Sequence, residues 1–351
     1  MLLEKNQEKI NNFDAIRLFL AFCVCFTHSF NLLYGDNTDP LGVATNGAVG
    51  LGGTAVDFFF LISGYLVVSS ILRARGSVLF LRKRVLRIYP AYIVASFLCV
   101  FFFAPMVSLD LGQYFRDVHI LKFIKNAIFL GVPSTPGILG DAAFPHVING
   151  SLWTIRYEFL CYIGLAFLYL VGVLRYRWLI LLIGLAWLLL FVLQSNADAG
   201  CCHSAILSVV PDQLLTYLNN FPRFFTYFTI GTIFYLYRED ISHRRSWVLF
   251  SLILVGVGVA AHQASLVMPV FGSYVIFYLA YSKTLNLAGV GRYGDFSYGV
   301  YLYAFPVQQV MAFYAQEHLN GLTMFLASGM ISLVFAVASW HLVEKHFLKM
   351  K

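Results

Sequence analysis

Charge is scarce in this chain. Only 12% of its 351 residues are Asp, Glu, Lys or Arg, against roughly 25% in ordinary soluble domains, which excludes a water-facing surface over most of the molecule. Cysteine is sparse and has no pattern. Cys23, Cys25, Cys99 and Cys161 fall in apolar stretches, and the vicinal pair Cys201 and Cys202 sits in a polar loop without metal-ligand spacing. A cleavable leader is not expected either. The first apolar run follows a mixed-charge segment (Glu4, Lys5, Glu8, Lys9), is longer than a signal-peptide core, and has no small-residue cleavage pattern after it. It reads as a retained first helix.

What the chain has in excess is apolar surface: 60% hydrophobic and 17% aromatic residues, with a mean hydropathy of +0.75. Apolar runs near the ~20 residues that cross a bilayer recur from Phe13 almost to the C-terminus. The pattern predicts an all-α, polytopic transmembrane helix bundle that takes up residues 1–351 as one membrane domain. About ten spans are expected, near 13–33, 50–72, 86–104, 152–174, 177–194, 222–237, 246–262, 264–281, 297–316 and 322–343.

The net charge of +7 and pI near 9.0 reflect topology rather than a nucleic-acid partner. Of the 24 basic residues, Arg116, Lys122 and Lys125 fall in the loops of one side, and Arg17, Arg156 and Arg223 lie within or at the ends of spans. The rest lie on the other side, which the positive-inside rule assigns to the cytoplasm, together with both termini. The implied location is the plasma (inner) membrane, with lipids as partners. The stretch 105–151 is too polar and too broken by Pro and Gly to span cleanly. Its segment 121–132 suits a short re-entrant or surface helix, in a loop that caps a cavity or simply connects.

Ionisable side chains inside a membrane helix cost roughly 2.5 to 3.5 kcal/mol each at the centre, so each needs a partner, a wet cavity or a role. Here they are Asp14, Arg17 and His28 in span 1, Asp57 in span 2, Arg156 and Glu158 in span 4, and Arg223 at the start of span 6. Arg17 and His28 are eleven residues apart, which at about 100° per residue puts them on one face, about 16 Å apart along the axis. Counting inward from the outer ends, His28, Asp57 and Glu158 share one layer, about 10 Å deep. They are either satisfied polar glue between helices or a reaction centre. In the basic run Arg82-Lys83-Arg84-Val85-Leu86-Arg87, the residues Arg84 and Arg87 are one helical turn apart. Such a cluster sets topology or meets lipid headgroups, but two guanidinium groups on one face also clamp phosphate.

Together these residues resemble acyltransferase family 3, the integral membrane O-acyltransferases that include O-antigen and exopolysaccharide acetyltransferases. Arg17 and His28 fit its arginine-ten residues-histidine signature. The stretch 53–66, with Asp57 and Ser63, resembles its second-helix motif, and Arg84 to Pro90 its arginine-x-x-arginine element. Asn149 to Phe159, with Trp153 and Glu158, is similar to its tryptophan-and-glutamate motif, and Ser297 to Tyr303 to its tyrosine-rich helix. There are two departures. Ala304 stands where many members carry histidine, and Glu344-Lys345-His346 replaces a glutamate-basic-proline pattern. The hydrolase-like soluble domain fused to some members is not expected here.

The resemblance implies acyl-CoA, most often acetyl-CoA, as donor, and a hydroxyl of a cell-surface or lipid-linked carbohydrate as acceptor, with no metal. Arg84, Arg87 and Arg17 would hold the donor phosphates, and the ~16 Å stripe roughly matches the pantetheine arm. His28 would be the general base, with Glu158 or Asp57 orienting the ring or steadying the imidazolium. Trp153, Tyr298, Tyr301 and Ser63 are candidates for acceptor contacts, and Tyr89, Tyr157 and Tyr303 could also stack on sugars. The rival reading is a transporter or flippase of a polar or lipid-linked solute. Against it, the two halves carry no matching pair of Gly/Pro-broken spans.

Overall fold

The computed structural model describes residues 11–74, 76–140, 143–199 and 212–350. Several residues used above, among them Glu4, Lys5, Glu8, Lys9, Cys201 and Cys202, lie outside that set. The described residues are helical and contain no strand, only an isolated bridge between Ser108 and Ile138. The longer helices are α1 (Phe13–Tyr34), α2 (Leu51–Leu72), α3 (Ser77–Leu98), α4 (Leu111–Asp117), α5 (Ile120–Ile128), α6 (Trp153–Leu170), α7 (Arg177–Ala199), α8 (Asp212–Leu236), α9 (Arg245–Ala260), α10 (Ser273–Ala280), α11 (Ser297–Ala315) and α12 (Gly321–Ser339). Short π-helical turns, Cys99–Phe103 and Trp340–Glu344, prolong α3 and α12.

Among the described residues, five helical segments are long and apolar enough to cross a membrane: Phe13–Tyr34, Leu51–Leu72, Ser77–Met106, Arg177–Asn196 and Gly321–Leu348. The other five expected spans coincide with helices that are shorter or more polar. The third span differs from expectation at its start. Its helix begins at Ser77 rather than near 86, so the basic run from Arg82 to Arg87 is already helical. Arg84 and Arg87 are thereby fixed one turn apart. The re-entrant or surface helix expected within 121–132 is α5.

The chain separates into two compact units. The first holds Asp57–Phe80 and Leu160–Leu287 with the segment ending at Phe13; the second holds Asp14–Val56, Leu81–Phe159 and Ala288–Lys351. In the first unit, α2 and α8 meet backbone to backbone. A Cβ built on Gly64 would strike the Phe228 carbonyl, and one on Gly231 the Leu61 carbonyl. Small residues are what allow such an approach between apolar helices. Phe60 and Phe224 stack on the same contact at 4.3 Å.

In the second unit, α11 and α12 pack equally closely, with Gly299 against Ala336. Polar groups then select the register. The buried Gln308 amide of α11 donates to the Cys25 carbonyl at 2.8 Å, to Ser29 Oγ at 2.8 Å and to Ser328 Oγ at 3.1 Å, tying α1, α11 and α12 together. The segment before α6 is held to α11 by Asn149 Nδ2 donating to the Leu302 carbonyl (2.9 Å) and by Gln309 Nε2 donating to the Val147 carbonyl (2.7 Å). The end of α5 is fixed by its carbonyls. Tyr89 Oη donates to Ile128 (2.8 Å), Tyr92 Oη to Gly131, and Arg156 Nε to Phe129 (2.9 Å).

Candidate active site

Near the N-terminal end of α1, within the second unit, a half-buried charge cluster assembles from four helices. One carboxylate oxygen, Asp295 Oδ2, accepts from Arg17 Nη1 at 2.5 Å and also from Arg87 Nη2. Arg87 Nη1 lies 3.6 Å from Glu344 Oε2, whose side chain is 2% exposed. The Tyr298 and Trp340 rings flank the Arg87 guanidinium, each centroid 5.9 Å away, within cation–π range. The other Asp295 oxygen, Oδ1, accepts from the backbone N–H and the hydroxyl of Ser297, at 3.2 and 2.5 Å. Burial acts to raise the Asp295 carboxyl, but Arg17, Arg87 and the Ser297 hydrogen bond together hold it well below the usual carboxylate range. It is an anion at any physiological pH.

Three turns along α1 lies His28. Its Nε2 is 3.4 Å from Ser151 Oγ, and the Phe305 ring meets the imidazole edge-on at 4.9 Å. Ser151 is itself placed by backbone contacts. Its N–H donates to Asn149 Oδ1 (3.1 Å), and its carbonyl accepts from Tyr301 Oη (2.9 Å), which also shares a 2.6 Å hydrogen bond with Thr154 Oγ1. These partners come from the turn before α6, from the first turn of α6, and from α11, so the sequence around Ser151 folds onto the imidazole. A half-buried imidazole at one end of a helix stripe and a double guanidinium site at the other suit a reaction that binds an anionic carrier and moves a proton elsewhere.

A family model described as an acyltransferase domain matches residues 10–341, and both the Arg17 cluster and His28 lie inside that range. The chain belongs to the acyltransferase 3 family. The chain is 30% identical over 355 residues to an O-acetyl transferase of Shigella phage Sf6, a match covering 97% of this chain and 96% of the relative. It is 27% identical over 363 residues to Nodulation protein 10 of Rhizobium leguminosarum bv. viciae, covering 97% and 94%. No solved structure matches. The chain is thus a membrane acyltransferase by family.

The candidate residues of this acyltransferase separate in the structure. Arg17 and Arg87 come together, but on a carboxylate that the sequence reading did not single out. Arg84 stands one turn before Arg87 on α3, and Tyr298 joins the cluster, its hydroxyl donating to the Ile88 carbonyl at 3.0 Å. Trp153 packs edge-on against Tyr157 at 5.7 Å, and Tyr301 supports Ser151. Glu158 and Asp57 are the carboxylates expected to orient the His28 ring or steady its imidazolium; the hydrogen-bonding neighbour of the ring is Ser151. Nε2 meets Ser151, and among the described residues Nδ1 is buried without a hydrogen-bond partner. Asp57 lies in the first unit as one half of a bidentate ion pair, accepting from Arg223 Nε at 2.7 Å and Nη2 at 3.1 Å. Ser63 shares a 3.0 Å hydrogen bond with Tyr162 Oη.

Sequence reasoning missed Asp295, Glu344 and Ser151. Asp295 stands two residues before the tyrosine-rich motif, and a carboxylate just outside a helix start reads as an ordinary cap. Ser151 sits within the tryptophan motif, but nothing in spacing points a turn residue at His28.

Proposed function

We propose that this protein is a membrane O-acyltransferase that moves an acyl group, acetyl in the simplest case, from cytoplasmic acyl-CoA to a hydroxyl of a cell-surface or lipid-linked carbohydrate. Its place is the plasma (inner) membrane, crossed about ten times, with both termini on the cytoplasmic side. The observation that carries the reading is the shared stripe of α1. Arg17 and Arg87 converge near its N-terminal end, the cytoplasmic one in this reading, and His28 follows eleven residues later, about 16 Å along the axis.

Paired guanidinium groups are suited to phosphate oxygens through charge-assisted, bidentate contacts, and the residues present fit an anionic carrier because an anion, Asp295, already engages both. Arg84 adds a third cation one turn away. His28 is the general base for the acceptor hydroxyl: a neutral imidazole takes up that proton as the oxygen attacks the thioester carbon, and the imidazolium returns it to the CoA thiolate as the C–S bond breaks. Ser151 holds the ring. Glu158, one turn after Thr154 on α6, contributes the carboxylate that steadies the imidazolium. Trp153, Tyr298 and Tyr301 contribute aromatic surface for a sugar.

Acetyl transfer from labelled acetyl-CoA, measured in membranes at matched expression, tests the assignment. His28→Ala should lower turnover by about 100-fold or more, and Arg17→Ala and Arg87→Ala should raise the donor KM by about tenfold or more. Near-normal transfer by His28→Ala overturns the reading. Thioester cleavage by purified protein separates it from solute transport.

A further inference from the structure

We propose that Asp295 is a positioning residue of the donor site, whose fixed carboxylate gathers the Arg17 and Arg87 guanidinium groups so that one phosphate meets both. The inference rests on the assignment of those arginines to the acyl donor. It goes further by giving a function to a residue that touches neither the thioester nor the acceptor.

Three features of the cluster point to positioning. First, Arg17 and Arg87 come from different helices, α1 and α3, and carry like charges. They meet at one point, Asp295 Oδ2, which accepts from both. In a half-buried site, with side-chain exposures of 21%, 16% and 13% for Arg17, Arg87 and Asp295, like charges repel more strongly than in water, and an intervening anion offsets that.

Second, the carboxylate is anchored rather than exchangeable. Oδ1 is held by the Ser297 N–H and hydroxyl at the start of α11. The chain enters Asp295 through Gly294, whose φ of +146° lies in the region that favours glycine and whose Cβ position is closed by Trp340 Nε1 at 2.5 Å. Asp295 is therefore a built part of this turn, unlike a loosely held counterion that a phosphate would displace.

Third, Arg87 is confined on its remaining sides by the Tyr298 and Trp340 rings and by Glu344. A guanidinium has five N–H donors in a rigid fork, so a single carboxylate contact fixes its plane without using up its capacity. Preorganisation of this kind lowers the ordering cost of binding.

The test uses the purified full-length protein in detergent or nanodiscs, with acetyl-CoA as the varied substrate. Asp295→Asn keeps the shape and removes the charge. It should raise the donor KM by about tenfold or more, with a smaller change in kcat and none in the acceptor KM, and Asp295→Glu should restore part of the loss. Combining Asp295→Asn with Arg87→Ala should raise the donor KM by less than the product of the two single effects, because they share one contact, while the lost Arg17 contact keeps it above that of Arg87→Ala alone.

An unchanged donor KM in Asp295→Asn, or an equal loss in kcat, overturns the proposal. So does a lowered KM, which would make the carboxylate a competitor of the phosphate. If Asp295→Asn does not fold, Ser297→Ala, which frees one side of the carboxylate, should still raise the donor KM a few-fold, and no change there overturns the proposal too. Unaltered donor KM values in both Arg17→Ala and Arg87→Ala would instead sink the donor assignment itself, whatever Asp295→Asn does.

Discussion

His28 Nε2 faces Ser151 Oγ at 3.4 Å, while His28 Nδ1 has no hydrogen-bond partner among the described residues. The imidazole is therefore steered from one side by a hydroxyl and an aromatic edge. If that single contact sets the ring's orientation, Ser151→Ala should lower kcat by about three- to tenfold and leave the donor KM nearly unchanged. Steady-state kinetics on both substrates decides the matter. A wild-type kcat would mean that Phe305 packing alone holds the ring.

The α2–α8 contact should be intolerant of a single methyl. Gly231→Ala drives a Cβ into the Leu61 carbonyl, and Gly64→Ala one into the Phe228 carbonyl. Each should cost about 1 to 3 kcal/mol and lower the melting temperature in detergent. Gly172→Ala is no control, because its φ is +79°, but Gly256, with open space at its Cβ position, is. Gly256→Ala should melt close to the native protein, and equal losses at all three positions would deny the close contact its special role.

Asp57 and Arg223 can be separated from catalysis by a double substitution. Removing one partner leaves an unpaired charge, so Asp57→Ala should destabilise by about 3 to 5 kcal/mol if the pair is effectively buried, somewhat less because Arg223 is 31% exposed. Asp57→Leu with Arg223→Met should recover much of that stability. Recovery of transfer with it assigns the pair to helix packing, and a folded but inactive double variant assigns Asp57 to the reaction.

The Asp295 carboxyl has a pH signature. Its folded-state pKa lies below the unfolded value, so its contribution to stability is complete above the usual carboxylate range and is lost as pH falls through the folded value. The melting-temperature difference between the native protein and Asp295→Asn should therefore shrink as pH falls below about 4. A difference that did not shrink there would contradict the Arg17 and Arg87 pairing.

The sequence by itself determined the solvent and the periodic elements of this protein. Long apolar runs with rare charges can only be helices that satisfy their own backbone in lipid, and the eleven-residue spacing placed Arg17 and His28 on one stripe because a helix repeats every 3.6 residues. The order of its motifs also indicated the family. What the sequence could not supply is which charge answers which. Asp295 is 278 residues from Arg17, and Arg223 is 166 from Asp57, separations that no helical period encodes. Three ionisable groups at one depth read as a single layer, yet depth fixes only one coordinate. Tertiary packing decided the others, giving Asp57 to Arg223 through the close α2–α8 contact, Asp295 to two arginines through the turn into α11, and Ser151 to His28 because unsatisfied polar groups between helices cost more than the chain reversals that pair them.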